Sequence, residues 1–123
     1  MTDWNDKQPI FQQIKLRIEQ QILAGIWPEG SALPSVRTVA SDLKINHLTV
    51  MKAYQLLVDD LLVEKLRGRG MFVLAGAREK LKKDKTNEFL NEEIPQLIES
   101  LKQLNMPVND FIKELKKQIK EQQ

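Results

Sequence analysis

Apolar residues recur at helical spacing directly after Pro9. Ile10, Phe11, Ile14, Ile18 and Ile22 form one stripe, and Gln12, Gln13, Arg17, Glu19 and Gln20 fill the other face, which predicts an amphipathic helix. Pro9 suits its first turn and Gly25 its C-terminal end. Trp27-Pro28-Glu29-Gly30-Ser31 reads as a turn, because proline and glycine stand where a helix cannot continue. A second, shorter helix opens at Pro34-Ser35, with Ser35 capping its free N–H groups and Val36, Val39, Ala40 and Leu43 as its buried stripe. After the short connection Lys44-Ile45-Asn46, a third helix carries Val50, Ala53, Tyr54, Leu57 and Val58 at spacings of three and four, with Asn46 as its cap. Two short helices joined by a tight turn make a helix-turn-helix pattern.

The period changes after Asp59-Asp60. Residues 61–66 and 71–74 are strand-like runs on either side of Arg67-Gly68-Arg69-Gly70, a hairpin with two glycines available for positive φ. A helix-turn-helix followed by a hairpin is the winged-helix order. Gly76 marks the expected domain boundary, and the lysines of the charge-rich stretch 78–85 are expected to form a solvated helix face. Phe89, Leu90, Ile94, Leu97, Ile98, Leu101 and Leu104 then resume the helical spacing, with Pro95 placed to kink or split the helix near Glu93 or Ile94. Asn105-Met106-Pro107 breaks the run, and Asn109 is the expected cap of a last helix bearing Phe111, Ile112, Leu115 and Ile119.

Such an α-hairpin buries too little surface to close a core by itself, so its stripes are expected to pack against a second copy. The expected dimer contacts are Leu90, Ile94, Leu97, Ile98, Leu101, Leu104, Phe111, Ile112, Leu115 and Ile119. The fold class is therefore mostly α with a small β-hairpin wing. A winged helix-turn-helix over residues 1–75 is followed by a two-helix dimerisation tail over residues 76–123.

Composition narrows the chemistry. The chain has 123 residues, 41% apolar and 29% charged, which suits one small domain with an appendage and excludes wholesale disorder. With no cysteine and His47 as the one histidine, thiol catalysis, disulfides and Cys/His zinc sites are excluded, and a Ser-His-Asp hydrolase would need His47. The adjacent carboxylates Asp59-Asp60 and Glu92-Glu93 would point apart on a helix, so neither pair makes an acid/base dyad. No enzyme activity, metal or cofactor is expected. No apolar run approaches the ~18 residues of a membrane span, and the chain opens with a polar stretch over residues 1–8, so a cytoplasmic protein is expected. The net charge of +2 divides almost evenly, with nine Lys+Arg against eight Asp+Glu before Gly76 and ten against nine after it. Any nucleic-acid reading must rest on where the basic residues sit.

The stretch from Pro9 to Leu74 resembles the DNA-binding domain of the GntR family of bacterial transcription regulators. Pro9-Ile10-Phe11-Gln12-Gln13-Ile14 is similar to the family's opening helix, and residues 22–30 to its following turn. Leu33-Pro34-Ser35-Val36-Arg37, Thr49-Val50-Met51-Lys52-Ala53-Tyr54 and Gly68-Arg69-Gly70-Met71-Phe72-Val73 resemble its three diagnostic blocks. A short helical tail together with Lys52-Ala53-Tyr54 is similar to the YtrA subfamily. That resemblance implies a homodimer made by the tail helices, and repression of operons that often encode ABC transporters. Several positions depart from the family pattern: Val36 replaces an acidic residue, Asn46-His47-Leu48 replaces Ser-Arg-Thr or Asn-Pro-Asn, Leu61 replaces glycine, and Leu66 replaces arginine.

The expected partner is a double-stranded DNA operator, an inverted repeat whose half-sites mirror the protein's two-fold axis. A recognition helix enters the major groove at its N-terminal end, which places Asn46, His47, Leu48, Thr49 and Lys52 nearest the bases. Thr49 and Asn46 can hydrogen-bond phosphate or base edges, His47 can donate to guanine, and Leu48 can touch a thymine methyl. Asn46 is equally suited to capping alone. Ser35 and Arg37 at the start of the second helix, and Arg67, Gly68 and Arg69 in the wing, complete the expected DNA-binding set. Arg37 in a surface ion pair and a solvated hairpin tip are the competing readings. Trp27 and Tyr54 are expected to pack in the core instead of stacking on bases. A winged-helix module that binds protein instead of DNA is the alternative function. A small-molecule effector, if there is one, would need a pocket shared between domains or subunits, since the tail is too small to enclose ~300 Å³.

Overall fold

In the computed structural model, which describes residues 7–123, the first stripe folds as expected. The opening residues 1–6 of the polar start lie outside the described residues. Helix α1 (Ile10–Leu23) turns Ile14, Ile18 and Ile22 inward, with Pro9 one residue ahead of the helix. Gly25 ends it at φ +80°, where its N–H donates to the Ile22 carbonyl and the Ile26 N–H to that of Gln21. That left-handed closure is the reason a glycine stands there. Two residues of the polar face, Gln13 and Glu19, are nevertheless buried. Gln13 donates from Nε2 to the Gln8 carbonyl at 2.8 Å. Glu19 lies 3.4 Å from Lys15 Nζ, which is 2.8 Å from Asp60 and so ties α1 to the end of α3. Burial works against the Lys15 ammonium, but Asp60 and Glu19 together outweigh it and hold its pKa above the ordinary 10.5.

Helices α2 (Val36–Leu43) and α3 (His47–Asp59) form the helix-turn-helix, and both expected caps are made. Ser35 accepts from the Thr38 N–H at 3.0 Å and Asn46 from the Leu48 N–H at 2.8 Å. Helix α3 closes through Leu61 at φ +61°, with the Leu61 N–H donating to Val58 and the Leu62 N–H to Leu57. The expected strand at residues 61–66 therefore starts later, because a left-handed Leu61 cannot join a pleated ladder. Strand β1 (Val63–Leu66) pairs antiparallel with β2 (Gly70–Val73), in the register Val63 to Val73 and Leu66 to Gly70. The turn after α1 also runs on into this sheet. Gly30 N–H donates to Val73 at 2.7 Å, Leu33 N–H donates to Met71 at 2.9 Å, and Ala32 bridges Phe72. The segment is too short for its alternation to be visible in the sequence.

Val50, Ala53, Tyr54 and Leu57 of α3 form the centre of the core with Leu62, Val63 and Val73. Ala77 and Leu81 of α4 (Ala77–Glu88) are buried in the same cluster, so this unit runs through Lys83 instead of stopping at Gly76. The surrounding lysines concealed an inward pair four residues apart.

The second unit covers Asp84–Gln123. In it a single wide π turn (Phe89–Glu93) precedes α5 (Ile94–Gln103), and α6 (Val108–Gln122) follows. The wide turn answers Pro95, whose ring would crowd the carbonyl four residues back. The Ile94 N–H reaches instead to Phe89, five residues back. Asn109 does not cap the last helix: Pro107, at φ −62°, precedes it and α6 already starts at Val108. No residue of α5 or α6 is buried, so the apolar stripes of the expected hairpin close no core within this unit.

Candidate nucleic-acid interface

Three elements of the first unit position the candidate residues. The start of α2 is held from beneath by Tyr54, which is 1% exposed and donates from its hydroxyl to the Pro34 carbonyl at 2.6 Å. Burial pushes the phenol up to about 12, so the donor keeps its proton at any physiological pH. Pro34 leads into Ser35, whose hydroxyl both caps α2 and donates to Thr38 Oγ1 at 2.8 Å. Arg37 follows in the first exposed turn. Trp27 packs against the core as expected, with its indole N–H bound to Gln21 Oε1 at 2.6 Å.

The start of α3 is open to solvent. Asn46, His47 and Leu48 are exposed and Thr49 is half-buried. Asn46 spends its side-chain oxygen on the cap, which leaves its amide NH₂ for another partner. Lys52 lies on a different side from His47, with its Nζ 4.0 Å from the centroid of the Phe11 ring in a cation–π contact. At the wing, Arg67, Gly68 and Arg69 are exposed, and Gly68 and Gly70 take the positive φ values of +75° and +108°. The Arg69 guanidinium stands 5.6 Å from the Phe72 ring.

These elements enclose one groove of about 680 Å³ between the α2 start, α3 and the wing. Of the expected residues, Ser35, Arg37, His47 and Arg69 line it. Asn46, Leu48, Thr49, Lys52, Arg67 and Gly68 are not among its lining residues. Met51, Gln55 and Lys65 join it and were missed in the sequence. Their signal was present: His47, Met51 and Gln55 follow one another at i+4 on a helix face. Lys65 shares its face of β1 with the buried Val63, since alternate strand residues point the same way, and stands exposed where that face leaves the core for the groove. The lining carries the cations Arg37, Lys65 and Arg69 and no carboxylate, a field that attracts a polyanion. Among the described residues no His/Cys/Asp/Glu group could hold a metal ion, and no helix is long and apolar enough to cross a membrane.

Comparison with known proteins points the same way. The family described as "Bacterial regulatory proteins, gntR family" matches residues 10–73. The chain is 36% identical over 96 residues to the HTH-type transcriptional repressor YtrA of Bacillus subtilis, covering 78% of this chain and 73% of that one. A GntR family transcriptional regulator from Listeria monocytogenes superposes with a TM-score of 0.76 at 25% identity, covering 93% of this chain and 98% of that one. YtrA from Sulfolobus acidocaldarius, a GntR-family transcription factor, does so with a TM-score of 0.57 at 31% identity, covering 98% of this chain and 97% of that one.

Proposed function

The chain belongs to the GntR family of DNA-binding transcription regulators, and from that premise we propose that it is a homodimeric cytoplasmic repressor of an inverted-repeat operator. Its expected target is a transporter operon. The carrying observation is the carboxylate-free groove in which Arg37, His47 and Arg69 meet at the exposed end of α3. A duplex offers a phosphate backbone to the flanking guanidiniums and a major groove to the helix start.

The tail supports the dimer. Leu90, Ile98, Leu104, Ile112, Leu115 and Ile119 are exposed, and Ile94, Leu97, Leu101 and Phe111 are half-buried, in a unit with no buried residue in α5 or α6. A second copy supplies the missing apolar side, and its two-fold axis matches that of an inverted repeat. Ser35, Asn46, Thr49, Arg67 and Gly68 then serve as phosphate-side contacts around the base-reading face. Lys52, held over Phe11, has the weakest case of the set.

The test is fluorescence anisotropy of the protein against its own upstream duplex and a scrambled one, at two salt concentrations. Preference for the native duplex that persists at the higher salt is expected. Arg37→Ala and Arg69→Ala should each weaken it about tenfold, the effect of losing one charge-assisted contact of about 1.5 kcal/mol. No binding even at low salt, with both variants indifferent, would favour the protein-interaction module instead.

A further inference from the structure

The recognition helix carries an unusual reading surface for its task. Among its thirteen residues there is no arginine, and its one lysine, Lys52, lies over the Phe11 ring. The commonest guanine reader, a cationic fork or ammonium on O6 and N7, is therefore missing from the groove-facing side of α3. The side chains at either end of that side each commit one polar atom within the helix. Asn46 Oδ1 accepts from Leu48 N–H, and Gln55 Nε2 donates to Asp59 Oδ1 at 2.9 Å. Between them, beside His47 at the helix start, stand two large apolar side chains one turn apart, Leu48 at 60% and Met51 at 48% exposure.

The edges of a G·C pair in the major groove consist of donors and acceptors, and pressing leucine and methionine against them would leave those groups dehydrated and unpaired. The major groove has one apolar base-edge group, the C5-methyl of thymine. We propose that Leu48 and Met51 form an apolar reader of thymine methyl groups, so that the base pairs under the first two turns of α3 are A·T pairs selected by hydrophobic contact. Arg37 and Arg69, on α2 and in the wing, supply charge from the flanks of this strip. This inference rests on the DNA-binding reading above and deepens it from binding to base preference.

The test removes only the methyl groups. The full chain selects its preferred duplex from a randomised double-stranded library, and that duplex is remade with uracil replacing thymine at one half-site position at a time. At one or two positions uracil should weaken binding about fourfold, the fold-change that corresponds to burying one methyl. Leu48→Ala or Met51→Ala should abolish the uracil effect at the position that its side chain covers. Both side chains are exposed, so melting curves of the variants should match that of the parent. A selected duplex that binds equally with thymine or uracil at every position would overturn the methyl reader and leave the repressor reading standing. Failure to select any sequence would overturn both.

Discussion

The two units of this chain handle apolar surface in opposite ways. In the first, α1, α3 and the wing turn Ile14, Ile22, Val50, Tyr54, Leu57 and Val63 inward until each is at most 2% exposed. In the second, α5 and α6 have stripes of equal regularity, yet none of their residues is buried. The same helical periodicity thus produces a closed core in one place and an open face in the other. The difference is the number of elements available. A three-helix arrangement with a sheet surrounds its own interior, whereas two helices alone leave their stripes uncovered and need surfaces from elsewhere.

The strongest way to break this comparison is to end the chain after Lys83. The first unit should still fold, sediment as a monomer and lose operator affinity by about 100-fold or more, since linked half-site readers gain that much from effective concentration. A truncated protein that remains dimeric would remove the tail from the role proposed for it. Single side chains sharpen the contrast. Leu57→Ala should cost about 2–5 kcal/mol in urea unfolding at any protein concentration. Leu115→Ala should instead lower the melting temperature by an amount that depends on protein concentration, because in the proposed dimer the contact it removes lies between copies.

Smaller effects probe how the core positions the interface. Tyr54→Phe should cost about 1 kcal/mol by deleting the hydrogen bond to Pro34, and should weaken DNA binding through the α2 start. Its pH signature has a definite sign. The folded phenol is pushed up to about 12, against about 10 in an unfolded chain, so folding disfavours the phenolate. The stability contributed by Tyr54 is complete below pH ~10 and is lost as pH rises towards 12. Tyr54 is the one tyrosine in the chain, so absorbance at the phenolate band reads it directly. A folded protein that ionises near pH 10 would contradict the burial argument. The smallest effect is a gain. Leu61 is 66% exposed at φ +61°, and Leu61→Gly should stabilise by up to about 1 kcal/mol in urea unfolding, because glycine enters that conformation without strain.

Much of this was legible in the sequence because it depends on local rules. Helix spacing, the Ser35 and Asn46 caps, the glycine that closes α1 and the wing hairpin all depend on residues within a few positions of one another. Leu61 was visible as a departure from the family pattern, but not as the end of α3. Leu61 and the missed Asn109 cap were decided by local backbone, and the other failures share one cause, which is contact between residues distant in sequence. Residues 30–33 became a sheet edge because β2 was beside them, Glu19 became buried beside Lys15 and its ion pair with Asp60, and Ala77 and Leu81 joined a core whose other members precede them.

The interface divides in the same way. The order of residues alone placed Arg37, His47 and Arg69 on the α2 start, the α3 start and the wing, since local spacing determines which element each occupies. Tertiary structure decided that these elements share one groove, that Met51, Gln55 and Lys65 belong to it, and that Lys52 instead rests on Phe11. A side chain's direction is fixed by its own helix or strand, but its neighbours are fixed only when the core closes beneath it.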